Sequence, residues 1–486
     1  MKARIKSSLL YGIVILCFLM TFLLFYNLGG DSIRSWDEAL YGVNALEMLR
    51  TGEMIVNTYW YEPDFFNLKP ILWPQLLSLS FSLFGENPLG LRFFSPVCML
   101  LTAVLCAVYS YRRFGQKSVL FTVMCFAANR HLLLYHCARS GDADSLYILF
   151  STMAFLALAE TESNRKRLYI SAACFSLAFL TKSFHAGVIA AVIVVYLFTS
   201  REYKKYTLYD LLISLLLAAA PILVWVILRY KGDGLFFIQK MFGYDLSGSI
   251  GTELEGHGGS ILFYVKNEIC RSPAAIACIL VTGFVIFHAP KAFFLNKRRY
   301  ALFVSAVLPF LMFSIVTTKL IHYVYLCYPP FIVLAADCFQ ELADHFEDRL
   351  SRALAVVSVV LCLATTALNV KTVYSLQPQD KVLIALKEIV EKDSSFNEET
   401  IYQHYVDPET ELMHEEWRPN AFLTLEMYSA LRPKDGNASE WYKDKSALLF
   451  TDKSQLGTLK GFRIRDQFGD YLVLEHDLTD KTVETP

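Results

Sequence analysis

The chain is poor in the features that hold small secreted domains together. Its eleven cysteines are scattered, mostly through apolar runs such as YGIVILCFLM and SVVLCLATTAL, and none lies beyond Cys362. The tail therefore has no disulfide framework, and the absence of a CxxC pair removes the common zinc pattern. Charge is scarce as well. Charged residues make up 19% of 486, against roughly 25% in an average soluble chain. A net charge of -1 leaves no basic excess to neutralise nucleic-acid phosphates, which argues against that class of ligand. There is no internal repeat, which disfavours the repeat-built transporter folds. The first apolar run, after MKARIKSS, is not followed by a small-residue cleavage site, so it reads as a retained anchor and not a signal peptide.

What the chain has in abundance is apolar length. Hydrophobic residues reach 55% and aromatic residues 14%, with a mean hydropathy of +0.38. Apolar runs of about 17–25 residues can cross a bilayer as helices. Candidates lie near 8–28, 91–111, 118–136, 143–160, 167–182, 184–200, 207–229, 271–289, 299–317, 321–338 and 351–371. The expected fold is mainly α, a polytopic transmembrane bundle of about eleven spans. Thirteen is the upper count, because the pairs 167–200 and 299–338 are tight. Alternate loops are basic: YRRFGQK (111–117), NRKR (164–167), REYKK (201–205) and KAFFLNKRR (291–299). By the positive-inside rule these face the cytoplasm, as does the N-terminus. The expected location is a cytoplasmic (inner) membrane crossed many times.

The outer side then receives two substantial pieces. Within the transmembrane domain, 1–371, the first outer loop, 29–90, carries its own helical text. DEALYGVNALEMLRTG places Leu40, Val43, Leu46 and Leu49 on one face, with Gly52 as a stop and Ser35 with Glu38 as a capping box. PILWPQLLSLSFSLFG (70–85) reads as a helix lying at the interface. The tail, 372–486, changes composition and alternates helix-like PNAFLTLEMYSALR with strand-like SALLFT and DYLVLEH. It predicts a small soluble α/β domain, periplasmic or extracellular. A glycine-rich outer loop, 231–262, reads as a flexible cover.

Ionisable residues collect at the outer ends of the spans: Asp37 and Glu38, Lys69, Arg139, Asp142 and Asp144, Lys182, Lys319 and His322. Such groups at membrane depth are costly and point to function. Each has a plainer alternative. Lys182 and Lys319 could snorkel from helix ends, Asp142 could cap the helix starting near 143, Arg139 could pair with an acid, and His136 and His185 could be interfacial polar residues. As an ensemble, the cations suit a phosphate and a carboxylate suits proton removal from an attacking hydroxyl. A lipid-phosphate-linked donor with its head at the outer surface would need both, its departing phosphate clamped where charge builds up.

The blocks SWDEALYGVNALEMLRTGEM, EPDFFNLKPILW and FGENPLGLRFFSPV resemble the first outer loop of the C-type membrane glycosyltransferases. The nearest likeness is to their bacterial protein O-mannosyltransferase-like branch, which includes the lipid A aminoarabinose transferases. The matching residues are Asp37-Glu38, Glu62-Pro63, Lys69-Pro70, Phe84-Gly85 and Arg92. ARSGDADSLYILF, LTK, HGGSILFYV and KLIHYVYLCYPP resemble later family blocks, so the likeness covers about residues 8–340. The chain departs from the pattern at Asn67, Ile71, Ser183 and Ile321.

The resemblance implies an inverting glycosyltransferase that moves a sugar from a polyprenyl-phosphate donor, undecaprenyl phosphate in a bacterium, to lipid A, a glycan or a protein at the outer face. By position it implies Asp37 as base and Asp144 as a second acid. Lys69, Arg139 and Lys319 would meet the donor phosphate, with Lys182. Glu38, Asp142, His257, His322 and Tyr323 complete the implied substrate-binding set. No metal ligands are indicated, and a divalent metal requirement stays open. The rival reading is a lipid or glycan transporter or flippase, which would line a central pathway with charge and open it to both faces.

Overall fold

The computed structural model describes residues 7–243, 258–344, 349–375, 379–392, 396, 398–406 and 418–477. Residues 244–257 of the glycine-rich cover, His257 among them, lie outside this set. The chain divides into two compact units: Met1–Leu28 with Leu68–Trp73 and Phe93–Leu376, and Gly29–Asn67 with Pro74–Arg92 and Gln377–Pro486.

The first unit is helical. Helices fall on each predicted apolar run: Ser7–Phe25, Phe94–Arg113, Gln116–Ala128, Asp144–Leu158, Arg167–Lys182, Gly187–Thr199, Leu208–Asp233, Pro273–His288, Lys297–Ile315, Tyr328–Asp344 and Arg349–Tyr374. Among the described residues, six stretches are long and apolar enough to cross a membrane by length and composition. One of them, Arg167–Thr199, joins two predicted spans through a single 3-10 turn, Ser183–Ala186. Starts and stops follow local chemistry. Thr207 and Asp210 form a capping box, and Ser272 caps a helix with Pro273 in its first turn. The core is built mainly from apolar side chains such as Leu132, Phe155, Ile189, Val281 and Val333, with buried tyrosines such as Tyr196 and Tyr264 among them.

The second unit joins the outer-loop helices to the tail. Helix Asp37–Thr51 ends on Gly52 at φ 76, the left-handed stop expected from the sequence. The expected capping box does not form: the residue before the helix is Trp36, at φ 67, and the Arg34 amide donates to Glu38 Oε2 at 2.7 Å. The glycine in this helix has a packing reason. A Cβ on Gly42 would lie 2.3 Å from Leu423 Cδ2 and 3.0 Å from Leu91 Cδ1, so a larger residue there would force the buried Leu423 side chain of helix Pro419–Tyr428 to shift. Strands β1 (Thr58–Tyr59) and β2 (Glu62–Pro63) form a small antiparallel ribbon. In the tail, β3 (Thr400–His404), β4 (Arg432–Pro433), β5 (Leu448–Asp452), β6 (Phe462–Phe468) and β7 (Tyr471–His476) form one sheet in the order β4-β3-β5-β7-β6. β3 runs parallel to β4 and β5, and β7 antiparallel to β5 and β6. The helix and two strands read from the sequence are Pro419–Tyr428, β5 and β7.

Candidate functional site

In the helical unit, five polar side chains gather where helix Asp144–Leu158 begins. Asp144 Oδ1 accepts a 2.6 Å bond from Lys182 Nζ, at the last residue of helix Arg167–Lys182. His136 Nδ1 lies 3.4 Å from Asp142 and 3.6 Å from Asp144. Its ring stacks on that of His322, with centroids 4.0 Å apart and planes 12° from parallel. Asp142 also accepts a hydrogen bond from the Ser140 hydroxyl. Asp142, Asp144, Lys182 and His322 are all buried, so this is paired charge held in a low-dielectric setting, where removing one member strands another.

The surrounding segments fix these groups. Trp73 Nε1 donates to the Gly141 carbonyl at 2.6 Å, tying the Leu68–Trp73 segment, which carries Lys69, to the loop before Asp144. The Ser95 hydroxyl holds the Ser140 carbonyl, and the Tyr147 hydroxyl donates to the His185 carbonyl at 2.9 Å. His185 lies edge-on to Tyr323 at 4.7 Å, and Tyr323 edge-on to His322 at 5.1 Å. Two backbone positions are unusual. His136 has φ 51 and Ser183 has φ 56, a region that favours glycine. Ser183 is where the family pattern has glycine, and the conformation gives the physical reason for that preference.

Two expected phosphate cations are occupied with backbone. Arg139 Nη1 donates to the carbonyls of Leu23 and Leu24 at 3.0 and 3.4 Å, at the C-terminal end of the first helix. Lys319 Nζ donates to the Ser314 carbonyl at 2.9 Å and also to that of Val316, closing helix Lys297–Ile315. Cations suit these positions because terminal carbonyls carry the negative end of the helix dipole. Lys319 is buried and does not snorkel. Sequence reasoning gave His136 no part in the site. Its signal was its place six and eight residues before two acids.

In the second unit, Asp37 is partly exposed and opens helix Asp37–Thr51 beside the positive-φ Trp36. Glu38 is buried, at 2.6 Å from Arg92 Nε and 3.0 Å from Nη2. Burial pushes its carboxyl up, but Arg92 outweighs this and holds it below the usual range. Arg92 also ties down the carbonyls of Asp31 and Ser32 at 2.9 and 2.8 Å. Asn67, where the family pattern has Asp, joins a buried network with Asn44 and Asp64.

A family model, dolichyl-phosphate-mannose-protein mannosyltransferase, matches residues 68–225. The undecaprenyl phosphate-alpha-4-amino-4-deoxy-L-arabinose arabinosyl transferase of Shewanella sediminis is 26% identical over 377 residues, 76% of this chain and 66% of that protein. An uncharacterised Aquifex aeolicus protein is 26% identical over 356 residues, 71% of this chain and 67% of its own. The chain thus spans about two thirds of the length of these relatives. Among solved structures, ArnT from Cupriavidus metallidurans bound to undecaprenyl phosphate superposes with a TM-score of 0.71 over 97% of this chain and 98% of that one, at 13% identity. The oligosaccharyltransferase AglB of Archaeoglobus fulgidus, solved with an inhibitory peptide and a dolichol-phosphate, gives 0.55 at 12% identity over 93% of this chain and 70% of that one. The C-type membrane glycosyltransferase likeness read from the sequence is present in both sequence and fold.

Proposed function

With the C-type membrane glycosyltransferase likeness as premise, we propose that this chain is an inverting glycosyltransferase using a polyprenyl-phosphate sugar, undecaprenyl phosphate being the carrier. The acceptor is lipid A, a glycan or a protein at the outer face of the cytoplasmic membrane. The sugar is a pentose or hexose. The chain crosses the membrane about eleven times with its N-terminus inside, and its tail domain lies outside. The observation that carries this reading is the buried Asp144–Lys182 pair with Asp142, His136 and His322 at one end of the helices. It comes within a fold shared along almost the whole chain with a protein solved with undecaprenyl phosphate.

In this mechanism Asp37 takes the proton of the attacking acceptor hydroxyl. Support comes from its partial exposure at a helix start while its neighbour Glu38 is committed to Arg92. Asp144, held by Lys182, orients the reacting groups, and Lys69 serves the donor phosphate. Glu38, Arg139 and Lys319 are positioning residues whose bonds hold local backbone. His257 belongs to the proposed substrate-binding set and the glycine-rich loop is the proposed cover. Asp37→Asn protein, inserted and folded like the wild type, should lose sugar transfer. Retention of most activity in that variant would remove Asp37 from the role.

A further inference from the structure

The loop between helices Arg130–Leu134 and Asp144–Leu158 holds one histidine in an unusual way. His136 is a non-glycine residue at φ 51, a conformation that persists only where the surroundings impose it. Here they do. The Ala138 amide donates to the Leu132 carbonyl at 3.2 Å, Cys137 is fully buried against Ser145, and Ser95 holds the Ser140 carbonyl. The result is an imidazole facing Asp142 and Asp144 with its flat side on His322.

The charges beside it matter. Asp144 is bonded to the buried Lys182, and Asp142 and Asp144 both lie against His136, so an imidazolium at position 136 would stand among carboxylates that favour it. Its side chain is 34% exposed, whereas Asp142, Asp144, Lys182 and His322 are each 6% exposed or less. Of these five groups, His136 is the one that can touch a ligand while its charge is supported from below. Arg139 and Lys319, the cations expected at a phosphate, have donors engaged with helix-end carbonyls.

We propose that His136, as an imidazolium, binds the phosphate of the polyprenyl-phosphate donor and of the lipid phosphate left after transfer. This deepens the glycosyltransferase reading and rests on it. In the step, the acceptor oxygen bonds to the anomeric carbon as the bond from that carbon to the phosphate oxygen breaks. The electron pair goes to the phosphate, and the acceptor proton goes to the Asp37 carboxylate. The phosphate gains one negative charge, which the imidazolium meets with a charge-assisted hydrogen bond.

Binding of undecaprenyl phosphate to the purified full chain, with undecaprenol as the uncharged control, tests this at pH 6 and pH 8.5. Asp142, Asp144 and His322 face the ring, with Lys182 on Asp144 and with Tyr323 and His185 beyond His322. His136→Asn should weaken binding roughly ten- to a hundredfold at pH 6 and approach the wild type at pH 8.5. His136→Lys should restore binding and hold it at pH 8.5. Wild-type preference for undecaprenyl phosphate over undecaprenol, combined with His136→Asn binding within twofold of wild type at pH 6, overturns the role of His136 alone. Should neither variant fold, the wild type decides: affinity that does not fall between pH 6 and pH 8.5 overturns it. No wild-type preference for the phosphate overturns the glycosyltransferase reading as well.

Discussion

At one end of the helical unit, Glu160 meets Arg113 at 2.5 Å and Arg298 at 2.9 Å, Arg299 meets Asp337 and Glu341 at 2.6 Å each, and Glu202 is held by Lys297 and by Lys205. At the other end, Lys182 is bonded to Asp144, and a half-buried histidine lies beside both Asp142 and Asp144. Both ends bury acids. The first surrounds them with arginine and lysine, which stay charged at any physiological pH, and so builds a closed structural network. The second leaves its last counter-charge to a titratable ring at the surface, which suits a site where a ligand brings charge of its own. The loops at the first end are those whose basic residues set the expected orientation, so orientation and network use the same side chains.

Breaking each end in turn sharpens the comparison. The largest effect is expected at the second end. Asp144→Asn should lower sugar transfer by about a hundredfold or more and destabilise by about 3–5 kcal/mol, because Lys182 is left buried and unpaired. Adding Lys182→Met should recover stability, measured by thermal unfolding, without recovering activity. At the first end, Arg299→Met should cost about 2 kcal/mol while activity per folded molecule stays at the wild-type level. Equal activity losses at both ends would erase the distinction.

A third variant moves the comparison to the second unit, where burial raises two carboxyls. Glu47 and Glu426 are buried, and each has a side-chain oxygen without a hydrogen-bond partner. Burial pushes the Glu47 carboxyl up to about 7, against hydrogen bonds from Thr58 and the Tyr61 and Trp60 amides. Burial, then the nearby Glu47, also raises Glu426. A folded-state value above the unfolded one gives stability that is full below about 4.5 and is lost as pH rises through about 7. Glu47→Gln should therefore flatten the fall in melting temperature between pH 5.5 and 8.5, an effect on the order of 1–3 kcal/mol. An unchanged slope would contradict it. The smallest effect is expected for Ser183→Gly, which relieves a positive φ and should stabilise by about 1 kcal/mol; destabilisation would show that the serine contributes more than it costs.

Sequence patterns located what depends on near neighbours. The apolar runs gave the helices, Gly52 gave a helix stop, and the alternation in SALLFT and DYLVLEH gave two central strands. They also singled out Asp144 and Lys182, because charge is conspicuous at membrane depth. Partners distant along the chain were invisible. Ser35 and Glu38 have the spacing of a capping box, yet Arg92, 54 residues on, takes the carboxylate. Arg139 and Lys319 have the composition of phosphate ligands, and only the position of helix-end carbonyls shows how their donors are used. Gly42 inside a helix was a signal of close packing, but its partner Leu423 belongs to the tail. The grouping of the outer-loop helices with that tail could not be read from composition, because it rests on contacts and not on local pattern.

The most direct test is mass analysis of envelope lipids and glycoproteins from cells lacking this chain, with wild-type and Asp37→Asn copies returned. The account predicts that one acceptor loses a pentose or hexose and that only the wild-type copy restores it. An unchanged set of envelope sugars, or full restoration by Asp37→Asn, would contradict it.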